Sequence, residues 1–265
     1  MEKMWRLIDS GPCRASYNMA LDEAIATLVR KGGFPPALRL YGWDRPSLSL
    51  GCFQRISDVN IDYCGAKDIP VVRRPTGGRA ILHGDELTYS FSARTTGPDL
   101  FSKGLLYSYK KISEAFHLAL RKIGVAAEAK AGREKGRVLA GSPLCFQSSS
   151  YGEILIGNKK VVGSAQKRWD DGLLQQGSIP YSYNEERIRN IFGEERYTAL
   201  RDCTVGLREV LPEFDEGQFR ETIASSFEEV FGISFVPALP SQEESALALE
   251  LEQEKYLLAR WNSRG

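Results

Sequence analysis

The chain has 265 residues, with 35 Lys+Arg against 34 Asp+Glu, a net charge of +1, 42% hydrophobic and 26% charged residues. At roughly 150 residues per domain this length predicts one or two domains, and the composition is that of a folded chain rather than a disordered one. The even charge balance argues against general nucleic-acid binding. No run approaches ~18 consecutive apolar residues, so no membrane span is expected. The opening MEKMWRLIDSGPCR lacks the apolar core of a secretory signal, which points to the cytoplasm.

Taken in chain order, residues 16–31 read as a helix, capped by Ser16 or Asn18, carrying Met19, Ile25 and Leu28 near helical spacing and stopped by Gly32-Gly33 and Pro35-Pro36. The segments 37–43 and 47–53 alternate with short period, two strands split by Asp44-Arg45-Pro46. A strand over 69–74, a loop over 75–86 and a cleanly alternating strand over 87–93 follow. Residues 101–124 carry Leu105, Tyr109, Ile112, Phe116, Ala119 and Ile123 at spacings of three and four, which predicts an amphipathic helix. The Gly-rich basic stretch 129–142 has no period and reads as a mobile loop. Gly157-Asn158 between two apolar runs is a two-residue hairpin signal, and 173–181 is a further strand. Helices are predicted over 194–201, 215–231 and 241–260. Mostly antiparallel strands with interspersed helices and a helical tail argue for an α+β fold rather than a doubly wound one. The expected organisation is a catalytic core over 1–183 and a helical C-terminal segment over 184–265 packed on it.

The chemistry is restricted by five cysteines and two histidines. An odd number of cysteines without CxxC spacing predicts reduced thiols, neither a disulfide scaffold nor a zinc site. Three stretches carry chemical potential. In Arg73-Arg74-Pro75-Thr76-Gly77-Gly78-Arg79 two glycines allow close backbone approach and arginines favour an anion; the alternative is a glycine turn with solvated arginines. In Lys160-Val161-Val162-Gly163-Ser164-Ala165 a lysine precedes small residues that leave space for a ligand; the alternative is an exposed hairpin lysine. Cys145, in GSPLCFQSSSYGE, is either an acyl-accepting thiol or a buried small apolar residue. His83 is either a general base or a loop residue, while His117 and the other four cysteines read as structural.

These stretches, in this order, resemble the lipoyl/octanoyl protein ligase and transferase family, the lipoate-protein ligase A-like proteins. RRPTGGRAILHGDELTYS is similar to the family's Arg-Arg-x-Ser/Thr-Gly-Gly loop and next strand, and KVVGSAQ to its Lys-(aliphatic)-x-Gly-Ser-Ala motif; NMALDEA, LRLYGWDRPSLSLGCFQ, LLQQGSI and EKYLLARWN resemble further family segments. The resemblance implies a fold shared with biotin protein ligases, a mixed, largely antiparallel sheet with flanking helices, and a tunnel for an eight-carbon acyl chain. It implies Cys145 and Lys160 as catalytic residues, and Arg74, Thr76, Gly77, Gly78, His83, Gly163, Ser164 and Ala165 as substrate-binding. Gln176 departs from the family, which commonly has His there.

Arg79 in place of a third glycine, the sequence after His83 and the position of Cys145 resemble the octanoyltransferase branch. Its implied reaction moves octanoyl from acyl carrier protein, through a cysteine thioester, to a lysine of a lipoyl domain or the glycine-cleavage H protein. No cofactor, metal, nucleic acid or membrane is implied. The alternatives within the family are an ATP- and magnesium-dependent lipoate–protein ligase and an octanoyl amidotransferase between carrier proteins; outside it stands an acyl-binding module without catalysis. A basic patch around Arg73, Arg74, Arg133, Lys135 and Arg137 is expected to meet the acidic carrier proteins.

Overall fold

A computed structural model describes residues 3–96, 100–129 and 153–264. The first half runs β1 (Lys3–Cys13), α1 (Ala15–Arg30), β2 (Ala37–Trp43), β3 (Ser47–Leu50), α2 (Ile61–Ala66), β4 (Val71–Arg73), β5 (Ile81–His83), β6 (Glu86–Arg94) and α3 (Leu105–Lys122). Then come β7 (Glu128–Ala129), β8 (Ile154–Ile156), β9 (Lys159–Arg168), β10 (Gly172–Pro180), α4 (Glu185–Phe192), α5 (Glu194–Cys203), α6 (Leu207–Val210), α7 (Glu216–Phe231), β11 (Ile233–Pro237), α8 (Gln242–Leu251) and α9 (Ala259–Asn262).

Eight strands form one mixed sheet in the order β11-β1-β2-β6-β10-β9-β8-β7, and β4-β3-β5 form a small second sheet. β1 is parallel to both its neighbours, while the large sheet from β2 to β7 is antiparallel. This is the expected mixed α+β architecture.

The large sheet is covered on both sides. Leu38 and Leu40 of β2 and Leu87, Tyr89 and Phe91 of β6 meet α3 and α7 in the main core, where Phe227 is fully buried among Phe91, Phe116 and Phe231. The opposite face packs on α1, with Met19, Ala24, Ile25 and Val29 against Ile8, Ala37 and Tyr41; α8 lies on α1 from outside. A third core joins the small sheet to α4 and α5 through Leu48, Leu50, Ile188, Phe192 and Leu200.

Residues beyond 184 enter all three cores. β11 extends the large sheet beside β1. Arg6 of β1 makes two hydrogen bonds, at 2.9 and 2.7 Å, to the fully buried Glu244 of α8. Ser241 and Glu244 also form the capping box that starts α8, so one carboxylate both caps the first turn of the helix and anchors it to β1.

Local signals explain most elements. Gly157 and Asn158 both take positive φ, +53° and +66°, as a two-residue hairpin of matching twist requires. Asp215 caps α7 and Gly232 closes it at φ +61°. The predicted helix over 101–124 is divided: a 3-10 turn over Leu100–Lys103 ends at Gly104, φ +97°, and α3 begins there. The predicted helix over 241–260 is three pieces, α8, a π turn over Glu252–Tyr256, and α9. β1 and β11 escape the pattern reading because each carries Pro and weak alternation; their pairing with each other and with β2 decides them. The helices α2 and α4 also go unpredicted, as short segments whose Asn60 and Asn184 caps are their main local signal. The predicted loop over 129–142 lies outside the described residues except for Ala129.

No helix among the described residues is long and apolar enough to cross a membrane, and no cluster of three His, Cys, Asp or Glu there could hold a metal ion.

Truncating Phe227 to Ala removes the ring at the centre of the main core. The unfolding free energy of Phe227→Ala should fall by ~3–5 kcal/mol in urea denaturation, with an unchanged slope.

Candidate active site

The clean alternation over 87–93 does not divide β6 into a buried face and a solvated one. From Glu86 to Ala93 every residue is buried. The apolar set faces the main core, and Glu86, Thr88 and Ser90 face a buried polar layer under α1. Buried polar groups need partners, and the partners here define the site.

Three connected networks supply them. In the first, Asp22 of α1 is fully buried and accepts from Arg39 (2.7 Å), Tyr41 (2.8 Å), Ser90 (2.6 Å) and Gln176 Nε2 (2.7 Å). Gln176 Oε1 in turn accepts from Thr76 Oγ1 at 2.8 Å, so the Gly77-Gly78 loop is tied to α1 through β10. In the second, Arg74 donates to Ser49 Oγ (2.9 Å), to the Ser49 carbonyl (3.1 Å), and to the carbonyls of Gly77 (3.0 Å) and Arg79 (2.7 Å). The loop is thereby folded around the guanidinium.

In the third, Ser49 Oγ lies 2.7 Å from His83 Nε2, and His83 Nδ1 lies 2.6 Å from Glu86 Oε1. Glu86 also accepts from the hydroxyls of Thr88 and Ser178. Burial pushes its carboxyl up, but His83 and these donated hydrogen bonds outweigh burial and hold it below the ordinary carboxylate value. Trp43 stacks on the His83 ring, centroids 3.9 Å apart and planes 14° apart, and its indole N–H donates to Thr88.

A narrow cavity opens where the networks meet. Its wall includes Ser49, Arg74, His83 and the small residues Gly163, Ser164 and Ala165 of β9. Ser164 Oγ is 2.7 Å from the Tyr89 hydroxyl, and a Cβ at Gly177 would stand 2.3 Å from the Tyr89 ring, so glycine is required there for Tyr89 to reach β9. A second cavity of about 410 Å³ adjoins the first, sharing Trp43, Ile81 and His83 with it.

The structure thus brings Arg74, His83, Gly163, Ser164 and Ala165 to one cavity, with Thr76 hydrogen-bonded to Gln176 of its wall and Gly77 bound through its carbonyl to Arg74. Gly78 packs on Gly51: a Cβ at Gly51 would fall 1.9 Å from the Gly78 carbonyl oxygen. That approach explains why the strand predicted over 47–53 stops at Leu50. Lys160 is buried on β9, three residues before the cavity wall begins, with Nζ 2.7 Å from Glu153 Oε1. Its charge also works against the burial that pushes the Cys203 thiol up. Cys145 lies outside the described residues.

Two expectations need correction. Arg73 and Arg74 are not part of a surface patch, nor are they solvated: they are 0% and 4% exposed. Arg73 donates to the carbonyls of Gly51, Gln54, Trp261, Asn262 and Arg264, holding residues 261–264 against the segment 51–54 that follows β3. Arg133, Lys135 and Arg137 of the expected patch lie outside the described residues. Sequence reasoning also passed over Ser49, Glu86 and Asp22, because a serine in an alternating strand and acids in a helix or strand carry no motif of their own.

With this geometry in place, the comparisons are direct. The chain belongs to the lipoyl protein ligase A/B catalytic domain family, whose sequence model matches residues 14–228. Its relatives include octanoyltransferase LipM of Moorella thermoacetica, 36% identical over 269 residues covering 98% of both chains, and octanoyltransferase LipM of Kyrpidia tusciae, 38% identical over 279 residues covering 98% of both. In fold it is similar to a lipoate-protein ligase A bound with ATP (TM-score 0.79, 23% identity, 99% of both chains). It is likewise similar to the bipartite lipoate protein ligase of Thermoplasma acidophilum (TM-score 0.78, 22% identity, 99% of this chain and 96% of that one).

Two measurements check the site's construction. Gly51→Ala should displace the loop: amide exchange at 74–80 should accelerate by about tenfold or more, and that of the β6 core should not. Burial pushes the Cys64 thiol up to about 11, so iodoacetamide at pH 8 should leave Cys64 unmodified until urea unfolds the protein.

Proposed function

We propose that this chain is an octanoyltransferase that moves an octanoyl group from acyl carrier protein, through a thioester on Cys145, to a lysine of a lipoyl domain or the glycine-cleavage H protein. The observation that carries the reading is identity of 36–38% across 98% of the chain to relatives named as octanoyltransferases. The site chemistry is consistent with it. A thioester donor is already activated, so covalent transfer to an amine needs no nucleotide, and in this reading no cofactor takes part.

Cys145 attacks the donor thioester and the donor thiol leaves. The acceptor lysine then attacks the enzyme thioester, and the thiol is regenerated as the amide forms. The Lys160 ammonium, held by Glu153, is assigned to favouring the Cys145 thiolate and polarising the acyl carbonyl. Arg74, Thr76, Gly77, Gly78, His83, Gly163, Ser164 and Ala165 are assigned to substrate. The four described cysteines are free thiols, in keeping with a reducing cytoplasm.

Intact-mass spectrometry after mixing with octanoyl-acyl carrier protein tests this. The protein should gain one octanoyl group; Cys145→Ala should gain none, and Cys203→Ala should gain one as the wild type does. An octanoyl group on Cys145→Ala, or transfer that requires ATP and magnesium, would overturn the reading.

A further inference from the structure

Ser49, His83 and Glu86 form one continuous hydrogen-bonded line. A guanidinium only donates, so Arg74 Nη1 gives its hydrogen to Ser49 Oγ at 2.9 Å. His83 Nε2 stands 2.7 Å from the same oxygen, within reach of the Ser49 hydrogen. With that hydrogen turned to Nε2, Nδ1 carries the ring hydrogen and donates to Glu86 at 2.6 Å. Glu86 accepts two further hydroxyl hydrogen bonds, which suits an ionised carboxylate. This is hydroxyl to imidazole to carboxylate, with the imidazole in the tautomer that takes a proton from the hydroxyl.

The line is built to stay in register and it ends at the cavity. Trp43 stacked on the ring and Glu86 behind it leave the imidazole one orientation. Glu86 is 8% exposed and His83 4%. Burying a carboxylate behind an imidazole carries a desolvation cost that an apolar pair would avoid. Ser49 and His83 are both on the cavity wall that Gly163 and Ser164 also line. The guanidinium at Ser49 Oγ stabilises that oxygen as its hydrogen moves towards Nε2.

We propose that Ser49 and His83 are catalytic residues of the second half of the transfer, taking one proton from the acceptor's ammonium so that a neutral amine attacks, with Glu86 as their positioning residue. The assignment rests on the reading above, in which the acyl group waits as an enzyme thioester. The acceptor lysine arrives as an ammonium and loses one proton to Ser49 Oγ as Ser49 passes its own to His83 Nε2. Glu86 faces the resulting imidazolium. The neutral amine nitrogen then forms a bond to the acyl carbonyl carbon, the carbon–sulfur bond breaks with its electron pair on sulfur, and the nitrogen's surplus proton goes to that sulfur. His83 releases its proton to solvent, leaving amide, free thiol and the original Ser49–His83 pair.

The test separates base catalysis from wall structure. Full-length wild type, His83→Gln and Ser49→Ala are charged with a small-molecule octanoyl thioester and freed of excess. Discharge at pH 7 is followed by intact mass, once with a lipoyl domain and once with hydroxylamine, a nucleophile already neutral at that pH. His83→Gln should slow discharge to the lipoyl domain by about 100-fold and discharge to hydroxylamine by less than about threefold. Ser49→Ala, which removes a single oxygen from the wall, should show the same split if His83→Gln fails to fold, and Glu86→Gln should follow it with a smaller loss. Equal slowing with both nucleophiles, or no slowing with the lipoyl domain, overturns the assignment alone. A wild type that takes up no octanoyl group overturns both the assignment and the reading it rests on.

Discussion

A single buried carboxylate organises this protein. Asp22 has no exposure to solvent, and its charge is tolerable only because Arg39, Tyr41, Ser90 and Gln176 all donate to it. Those donors come from β2, β6 and β10, so satisfying one charge fixes α1 against three neighbouring strands. The same demand runs on through Gln176 to Thr76 and so to the Gly77-Gly78 loop. Removing one partner of such a pair leaves the other charge buried and uncompensated, at a cost of about 3–5 kcal/mol. Helix, sheet and loop therefore form one hydrogen-bonded unit.

The adjacent arginines show how one strand end serves fold and site together. Arg73 turns to the end of the chain and donates to backbone carbonyls on either side, including three from 261–264. Trp261 returns a hydrogen bond to the Arg73 carbonyl. Arg74 points the other way, towards Ser49 and the loop. Successive residues of an extended strand face opposite sides, so two arginines in sequence necessarily divide their duties. Residues 261–264 are thus tied to the segment that follows β3, although nearly 190 residues separate Arg73 from Trp261.

The polar layer also shows why similar folds host different chemistry. Likeness at 22–23% identity to ligase structures establishes the scaffold, while function depends on which side chains the scaffold presents. Here Gln176 stands where the resemblance leads one to expect histidine. It has a complete set of duties as an amide: Nε2 donates to Asp22 and Oε1 accepts from Thr76. An amide offers a donor and an acceptor on the same short arm, which suits a bridge between a carboxylate and a hydroxyl.

Much of this was legible in the sequence. The periodicity of 16–31, the Gly157-Asn158 turn and the alternation over 87–93 located α1, the β8–β9 hairpin and β6, because backbone geometry acts over a few residues. The two motifs around Gly77-Gly78 and Gly163-Ser164-Ala165 located two walls of the cavity. The rest needed the tertiary structure. Alternation says that the two faces of a strand differ, but not whether the polar face meets water; in β6 it meets Asp22 and His83 instead. Arginines in a loop read as solvent-facing until their carbonyl partners, up to 191 residues away, are seen. Ser49 gains its significance only when β3 and β5 pair: Ser47 lies opposite His83, and Ser49, two residues on, reaches the His83 ring through its hydroxyl. The sequence by itself determined the local elements, the family pattern and the types of residue at the cavity. Only the tertiary structure decided which of them face one another, because a hydrogen-bond partner is a property of position in space and is not encoded in spacing along the chain.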